Sequence, residues 1–260
     1  MIRSLLPAGA VGADAFGDAP EGVLLPAEEA AVAGVAAGRR REFATVRHCA
    51  RRALRELAGD RPGGAARDPV ALLPDRDGVP RWPGGTVGSM THTRGYRAAA
   101  VAPAARVTRL GIDAEPDRPL RAGVLETIAL PAERSALAAE RSALAAASGA
   151  GGACRDRLLF CAKEAAYKAW FPHVRIRLGF RDVEIVFDAR AGALPAAGLP
   201  AAGAPAVLGG FRAYVRHGSG DVLRGRWGAG SGLLVAVVAD DADDASVEAA
   251  HRPPGADRGH

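Results

Sequence analysis

Helical and strand signatures alternate along both halves of this 260-residue chain, which restricts it to architectures that mix α and β elements. Gly38 should separate a short helix over residues 26–37 from the helix that follows, and Pro172 should end the last helix. Apolar periodicity and composition predict three longer helices, over residues 39–58, 130–147 and 155–170. Short apolar runs predict strands near residue 87 and over residues 96–102, 108–112, 183–187, 211–215 and 233–239.

The composition is that of a globular protein, with 48% hydrophobic and 24% charged residues. Its three cysteines are odd in number and far apart, which argues against a disulfide framework or a zinc finger. Residues 1–20 contain Pro7 and Gly9 and lack the apolar core of a signal peptide. The longest uncharged stretch, residues 191–211, is interrupted by prolines and predicts a loop and no membrane span. We therefore expect a cytoplasmic protein.

The charge of the chain favours anionic partners, since its formal net charge is +5. Lys163 and Lys168 are its only lysines, five positions apart in a chain that otherwise uses arginine. Codon bias would leave the same pattern by chance. The helix predicted over residues 39–58 carries a basic stripe, which is either an ordinary solvated face or an anion-binding side, formed by Arg40, Arg47, Arg51 and Arg55.

The segment G-I-D-A-E-P, residues 111–116, follows a predicted strand. Residues two apart in extended backbone point the same way, so Asp113 and Glu115 should present two carboxylates side by side. Such a pair repels itself unless a cation lies between, and Mg²⁺ prefers oxygen ligands of this kind. The other interpretation is an ordinary solvated strand end.

The segment F-C-A-K-E-A-A-Y-K-A-W, residues 160–170, lies inside a predicted helix. Glu164 and Lys168 are four residues apart on one face, as are Lys163 and Tyr167. An isolated pair of this kind is usually a routine surface salt bridge. Here the surrounding alanines also allow close approach of a ligand or a strand.

The segment G-S-M-T-H-T, residues 88–93, combines a glycine and short hydroxyl side chains with His92. Such residues can expose backbone N–H groups, and a neighbouring histidine can donate to a phosphate. A histidine beside a turn can equally be structural.

Taken together, these segments resemble the 4′-phosphopantetheinyl transferases of the enterobactin/surfactin type. The resemblance rests on G-S-x-T-H-x-x-G-Y at residues 88–96, G-I-D-x-E at 111–115 and F-C-A-K-E-x-x-Y-K-A-W at 160–170. The segment R-R-x-E-F-x-x-x-R-H-C-A-R, residues 39–51, also resembles the amino-terminal signature of that family. The likeness covers roughly residues 38–238.

The resemblance implies an activity and a fold. Members of the family move the phosphopantetheine arm of coenzyme A onto a serine of an apo acyl or peptidyl carrier protein and release adenosine 3′,5′-bisphosphate. Their fold is α+β, pseudo-dimeric and two-lobed, with the active site between the lobes. On that basis we expect an N-terminal lobe with the nucleotide contacts over residues 1–106, a C-terminal lobe with the metal and catalytic motifs over residues 107–240, and a mobile tail over residues 241–260.

The resemblance also implies roles at the reacting end of the site. Asp113, Glu115 and Glu164 match the family's Mg²⁺ ligands, and their charges offset a divalent cation. Glu164 is the expected general base, directly or through water. Lys168 would pair with the coenzyme phosphates and stabilise charge on the leaving group. For Lys163 a phosphate contact, a carrier contact and simple charge neutralisation all stay open.

At the nucleotide end the resemblance implies contacts to the coenzyme phosphates from Arg39, Arg47, Thr91 and His92. The family often has a basic residue where this chain has Asp77. We expect Arg76, one position earlier, to supply that contact, with Arg81 as the other candidate. Bidentate phosphate contacts suit arginine well.

Two other functions are compatible with the same residues. Three carboxylates and a lysine also suit a Mg²⁺-dependent phosphohydrolase or nuclease. The arginine stripe suits a basic nucleic-acid-binding module, although an aromatic content of 5% offers few platforms for base stacking. We expect the transferase, acting as a monomer on acidic carrier proteins, with no nucleic acid or membrane partner.

Overall fold

The computed structural model describes residues 1–59, 69–146, 153–188, 192–193, 204–216 and 220–241. Within these residues the strands form two antiparallel sheets, each covered by a long helix. The mixed α+β, two-lobed architecture expected from the sequence is confirmed. The predicted mobile tail lies beyond the described residues apart from its first residue. Of the predicted loop over 191–211, residues 191 and 194–203 also lie beyond them, and the prediction is wrong for residues 192–193 and 207–211, which are strand.

The first sheet has three strands in the order β1-β3-β2. Helix α2 packs on it because its apolar positions, including Cys49, Ala50 and Ala53, fall on one face and meet Ala99 and Val101 of the sheet. This lobe contains β1 (Val11–Ala15), α1 (Pro26–Ala31), α2 (Ala37–Leu57), β2 (Thr86–Thr93) and β3 (Tyr96–Pro103).

The second sheet has the order β4-β9-β8-β7-β5, with β6 paired to β7. Its helix α5 lies against β4 and β9. The strands are β4 (Val107–Pro116), β5 (Val183–Phe187), β6 (Gly192–Ala193), β7 (Val207–Val215), β8 (Val222–Gly230) and β9 (Leu233–Asp241). The helices are α3 (Val124–Ile128), α4 (Pro131–Ala146) and α5 (Arg155–Val174).

The two sheets face each other across a shared apolar layer. Alternate residues of β3, such as Ala98 and Ala100, point into this layer, as do Val235 and Val237 of β9. A 3-10 turn near the amino terminus (Ile2–Leu5) packs into the same layer. The order of layers is therefore helix, sheet, sheet, helix.

Strand β4 approaches α5 so closely that only glycine fits at position 111. A Cβ built on Gly111 would lie 2.1 Å from the carbonyl oxygen of Ala165 and 2.4 Å from the nitrogen of Ala169. The alanines of α5 thus admit a strand, one of the two occupants expected from the sequence. Since side chains alternate along β4, Asp113 and Glu115 lie on the same face as Gly111.

Several local predictions were wrong. Gly38 lies inside α2, in its first turn, because a single glycine lowers helix stability by only about 1 kcal/mol and does not by itself end a helix. Pro172 lies inside the last turn of α5, which ends only at Val174. There the missing N–H of proline costs a single hydrogen bond, and Arg175 ends the helix in the left-handed region with φ 61.

Residues 88–93, for which no strand is predicted from the sequence, form most of β2. Their backbone pairs with β3. Strands β1 and β8 are not predicted from the sequence either, β8 because its glycines and arginines weaken the strand pattern. Among the described residues no helix combines the length and the apolar character needed to cross a membrane.

Candidate functional site

A cleft of about 560 Å³ opens between the two lobes. Its walls come from α2, the loop over residues 77–82, β2 and the C-terminal half of α5. Most of the charged side chains that line it are cationic: Arg39, Arg47, Lys168 and Arg175, with Asp77 as the carboxylate. His92 lines the cleft beside them. The cleft is therefore suited to a polyanionic ligand.

Asp113 is buried behind the cleft wall, where it contacts Thr91 and Lys168, two residues that line the cleft. Its Oδ1 accepts hydrogen bonds from Lys168 Nζ at 2.6 Å and from Thr91 Oγ1 at 3.1 Å. Its Oδ2 is buried and has no hydrogen-bond partner among the described residues. Buried carboxylate oxygens without a partner are costly, so this atom indicates a missing ligand.

Glu115, two residues further along β4, is half-buried beside it. Its Oε2 accepts a hydrogen bond from Arg157 at 3.0 Å, and Arg157 also donates to the carbonyl oxygens of Arg118 and Pro119. Burial and the negative charge of Asp113 raise the pKa of Glu115 above its ordinary value, although Arg157 opposes the shift. The predicted side-by-side carboxylates of this segment are therefore close enough to repel each other.

Glu164, on α5, lies close enough to Asp113 and Glu115 to interact with their negative charges. Burial raises the pKa of its carboxyl group, and the charges of Asp113 and Glu115 act in the same direction while Lys168 opposes them. The Glu164 side chain makes no hydrogen bond with the described residues. The structure thus brings three carboxylates, from a strand and a helix, close enough for their charges to interact.

The carboxylates do not yet form a closed metal cage. No three His, Cys, Asp or Glu side chains within the described ranges are grouped tightly enough to hold a metal ion. Asp113 and Glu115 are instead each paired with a cation, Lys168 and Arg157. The oxygen donors, the unpartnered Asp113 Oδ2 and the raised pKa of Glu164 nevertheless fit a hard divalent cation.

Lys168 connects this acidic region to the cationic cleft. Burial alone would lower the pKa of its ammonium group, but the Asp113 carboxylate raises it above the ordinary value. Lys168 therefore stays charged and lines the cleft beside His92.

His92 and Arg39 meet at the outer part of the cleft, where the Arg39 guanidinium contacts His92 Nε2. Burial and the positive charge of Arg39 lower the pKa of His92, so the ring is mostly neutral at pH 7. Glu42 lies 3.6 Å from His92 Nδ1. Thr91 lines the cleft, and its hydroxyl group also donates a hydrogen bond to Asp113, which joins β2 to β4.

Arg47 is buried at the base of the cleft, with its guanidinium carbon 3.2 Å from the centroid of the Phe43 ring. Its Nε donates to the carbonyl oxygen of Leu72 at 3.1 Å. Burial lowers the pKa of Arg47 to about 10, which still leaves a cation at neutral pH. The structure therefore brings Arg39, Arg47, Thr91, His92 and Lys168 to one cleft.

Arg76 is not brought to the cleft. Its side chain is 94% exposed and pairs only loosely with Asp77, at 3.8 Å, because the turn directs it to solvent. Arg81 is exposed as well and does not line the cleft. A basic residue that the sequence analysis missed, Arg175, reaches Asp77 from the opposite lobe at 3.1 Å.

Lys163, whose role the sequence left open, points away from the cleft. Its Nζ is buried and donates to the carbonyl oxygens of Ile128, Phe180 and Val183 at 3.1, 2.8 and 2.7 Å. It also pairs with the buried Glu133 at 2.8 Å. Lys163 therefore fastens α5 to the neighbouring elements and contacts no ligand in the cleft.

Comparison with known proteins agrees with this site. Residues 27–102 match the 4′-phosphopantetheinyl transferase N-terminal domain, and residues 109–202 match the 4′-phosphopantetheinyl transferase superfamily. Both matches include residues that line the cleft.

Whole proteins match over most of their length. The 4′-phosphopantetheinyl transferase Svp of Streptomyces mobaraensis is 44% identical over 248 residues, covering 92% of this chain and 89% of that protein. Npt of Nocardia iowensis is 40% identical over 92% of this chain and 99% of its own. PptT of Mycobacterium tuberculosis is 42% identical over 72% of this chain and 78% of its own.

Proposed function

This chain belongs to the 4′-phosphopantetheinyl transferase family and is therefore an enzyme that transfers phosphopantetheine from coenzyme A to carrier proteins, and we propose that the transfer takes place in the cleft between its two lobes. The observation that carries the proposal is the distribution of positive and negative side chains in and beside the cleft. Cationic side chains line it, and one of them, Lys168, contacts the buried Asp113, whose Oδ2 has no partner among the described residues. Glu115 and Glu164 lie near enough to Asp113 for their charges to interact.

This distribution of charge suits coenzyme A, whose phosphate groups are negatively charged. Arg39, Arg47 and His92 would bind the phosphates of its nucleotide end, with Thr91 beside them. Arg76 stays a prediction that its exposed position does not support. The pyrophosphate would then reach Lys168, next to the carboxylates.

The three carboxylates Asp113, Glu115 and Glu164 are the residues that would hold a Mg²⁺ ion. When bound, the ion polarises the pyrophosphate and stabilises negative charge as it develops. Lys168, which contacts Asp113 and lines the cleft wall, is placed to contact the phosphates beside these carboxylates.

In the transfer, the serine hydroxyl oxygen of the carrier attacks the phosphorus that bears the pantetheine arm. The new P–O bond forms as the bond to the adenosine-bearing phosphate breaks. Glu164 accepts the serine proton, directly or through water, and its raised pKa suits a base that works near neutral pH. Lys168 stabilises the departing adenosine 3′,5′-bisphosphate.

The lobe boundary of this proposal lies between residues 106 and 107, where the chain passes from the first sheet to the second. We assign the enzyme to the enterobactin/surfactin type, acting as a cytoplasmic monomer on acyl and peptidyl carrier proteins. The net charge of +5 would favour acidic carriers over nucleic acid or membrane partners.

The direct test is to incubate the protein with coenzyme A, Mg²⁺ and an apo carrier protein, and to measure the carrier by mass spectrometry. We expect the mass to increase by one phosphopantetheine group. Hydrolysis of coenzyme A without that increase would instead support a phosphohydrolase and would refute the proposal.

A further inference from the structure

The loop D-R-D-G-V, residues 75–79, forms one wall of the cleft and is organised by its own hydrogen bonds. Asp75 Oδ1 accepts the backbone N–H groups of Asp77 at 2.9 Å and Val79 at 3.0 Å. Gly78 takes the positive φ of 85° that the turn requires. The turn therefore holds its shape without help from the opposite lobe.

Arg175 nevertheless crosses the cleft to this turn from the end of α5. Its Nη1 lies 2.6 Å from Asp75 Oδ2 and 3.1 Å from Asp77 Oδ2, and its Nε donates to the carbonyl oxygen of Pro172. Its Nη2 makes no hydrogen bond with the described residues. An edge of the guanidinium group is thus available to a ligand.

The backbone at Arg175 points to a role beyond ending the helix. Its φ of 61° lies in the left-handed region, where glycine is the usual residue after a helix. A glycine would end α5 with less strain but would carry no charge. The conformation places the guanidinium on the cleft wall.

The charge of Asp77 explains why a basic residue is useful at position 175. Asp77 is the one carboxylate among the described residues that line this cleft, and alone it would repel a polyanion. Arg175 neutralises it from the other lobe. A guanidinium group can bind a carboxylate and a phosphate at the same time through different N–H groups.

We propose that Arg175 is a substrate-binding residue whose guanidinium group contacts a phosphate of coenzyme A, so that both lobes hold the nucleotide. The inference rests on the proposed function. The contact would use the free edge of Arg175 while Asp75 and Asp77 keep the side chain extended across the cleft.

The test is calorimetric binding of coenzyme A, with turnover measured separately. A charged hydrogen bond to phosphate is worth about 1.5 kcal/mol or more, so Arg175→Gln should weaken binding about tenfold. The affinity of Arg175→Lys for coenzyme A should lie between those of the unchanged protein and Arg175→Gln, since an ammonium group keeps the charge but lacks the planar fork of a guanidinium group. The matched control is Arg177→Gln, an exposed arginine two residues away that does not line the cleft; it should bind like the unchanged protein.

A second variant distinguishes a phosphate contact made by Arg175 from a role in which Arg175 only anchors the loop over residues 75–79. Asp77→Asn removes a negative charge that repels a polyanion, while Asp75 still holds Arg175 across the cleft, so under the proposal coenzyme A should bind at least as tightly as before. If Arg175 served only to anchor the loop, Asp77→Asn would weaken binding as Arg175→Gln does, and that result would overturn the proposal.

Dephospho-coenzyme A, which lacks the 3′-phosphate, identifies the phosphate involved. A loss in Arg175→Gln that persists with this probe supports a pyrophosphate contact, and one that disappears supports the 3′-phosphate. Unchanged affinity in Arg175→Gln refutes the inference alone, provided the unchanged protein binds coenzyme A. Failure of the unchanged protein to bind refutes the proposed function itself.

Discussion

The hydroxyl group of Thr91 donates a hydrogen bond to Asp113 Oδ1 at 3.1 Å and so joins a strand of one lobe to the acidic region of the other. The same oxygen accepts the backbone N–H of Ala114 at 3.1 Å. Ser89, two residues earlier on β2, accepts the N–H of Ile112 in the same way. Hydroxyl side chains thus replace a backbone ladder between β2 and β4, and they fix the position of Asp113 relative to the cleft.

Replacing Thr91 tests this connection. Thr91→Val keeps the shape of the side chain but leaves the Ala114 N–H without its partner and removes one of the two hydrogen bonds to Asp113 Oδ1, so the free energy of unfolding should fall by about 1–3 kcal/mol. The transfer rate should fall as well, since Asp113 loses a positioning contact. Denaturant unfolding measures the first effect. Thr93→Val on the same strand is the control, and an equal loss there would show that the Thr91 hydroxyl has no special part.

Replacing Glu164 tests the general base. Glu164→Gln keeps the size of the side chain and removes its ability to accept a proton. The variant should fold normally and keep most of its affinity for coenzyme A, while transfer to the carrier is lost. Rapid-quench measurement of carrier modification provides the rate. Near-normal turnover would remove Glu164 from both the base and the ligand roles.

Replacing Gly111 tests the close approach of β4 to α5. Gly111→Ala would place a Cβ against backbone atoms of Ala165 and Ala169, at 2.1 and 2.4 Å, which no side-chain motion relieves. We expect a loss of stability of about 3 kcal/mol together with a loss of transfer. Gly84→Ala, where a Cβ meets nothing within 4 Å, is the control. Equal thermal stability of the two variants would contradict the packing described for α5.

The pH dependence of stability tests the environment of His92. Burial and Arg39 lower the pKa of His92 in the folded protein, so below pH 6.5 the unfolded chain binds more protons at this position than the folded one does. The stability contributed by the neutral ring is therefore present above pH 6.5 and is lost as the pH falls. His48 and His173 share the direction of the shift. His92→Gln should show a smaller decrease in unfolding free energy between pH 7.5 and about pH 5.5, and an unchanged decrease would contradict the assignment.

The sequence predicted those parts of the site that depend on local periodicity. Strand alternation placed Asp113 and Glu115 on one face, and helical spacing placed Glu164 and Lys168 on another. Both rules act over a few residues. That the two faces meet depends on Gly111, whose significance appears only once α5 lies against β4.

The residues that the sequence missed act across long separations. Arg157 pairs with Glu115 and Arg175 with Asp77, contacts that depend on how α5 lies against the strand and the loop. The predicted end of α5 at Pro172 hid the contact between Arg175 and Asp77, because a helix that ended there would not place Arg175 at the cleft. Lys163 shares its motif with Glu164, but its ammonium group binds buried carbonyl groups, which the spacing of the motif does not reveal.

The most direct measurement of the account is a crystal structure of the protein with coenzyme A and Mg²⁺, in which the pyrophosphate and the ion are located. We predict that the ion binds between Asp113, Glu115 and Glu164, with the pyrophosphate beside Lys168 and the nucleotide phosphates near Arg39, Arg47 and His92. A pyrophosphate bound away from this cleft, or an ion that none of the three carboxylates contacts, would contradict it.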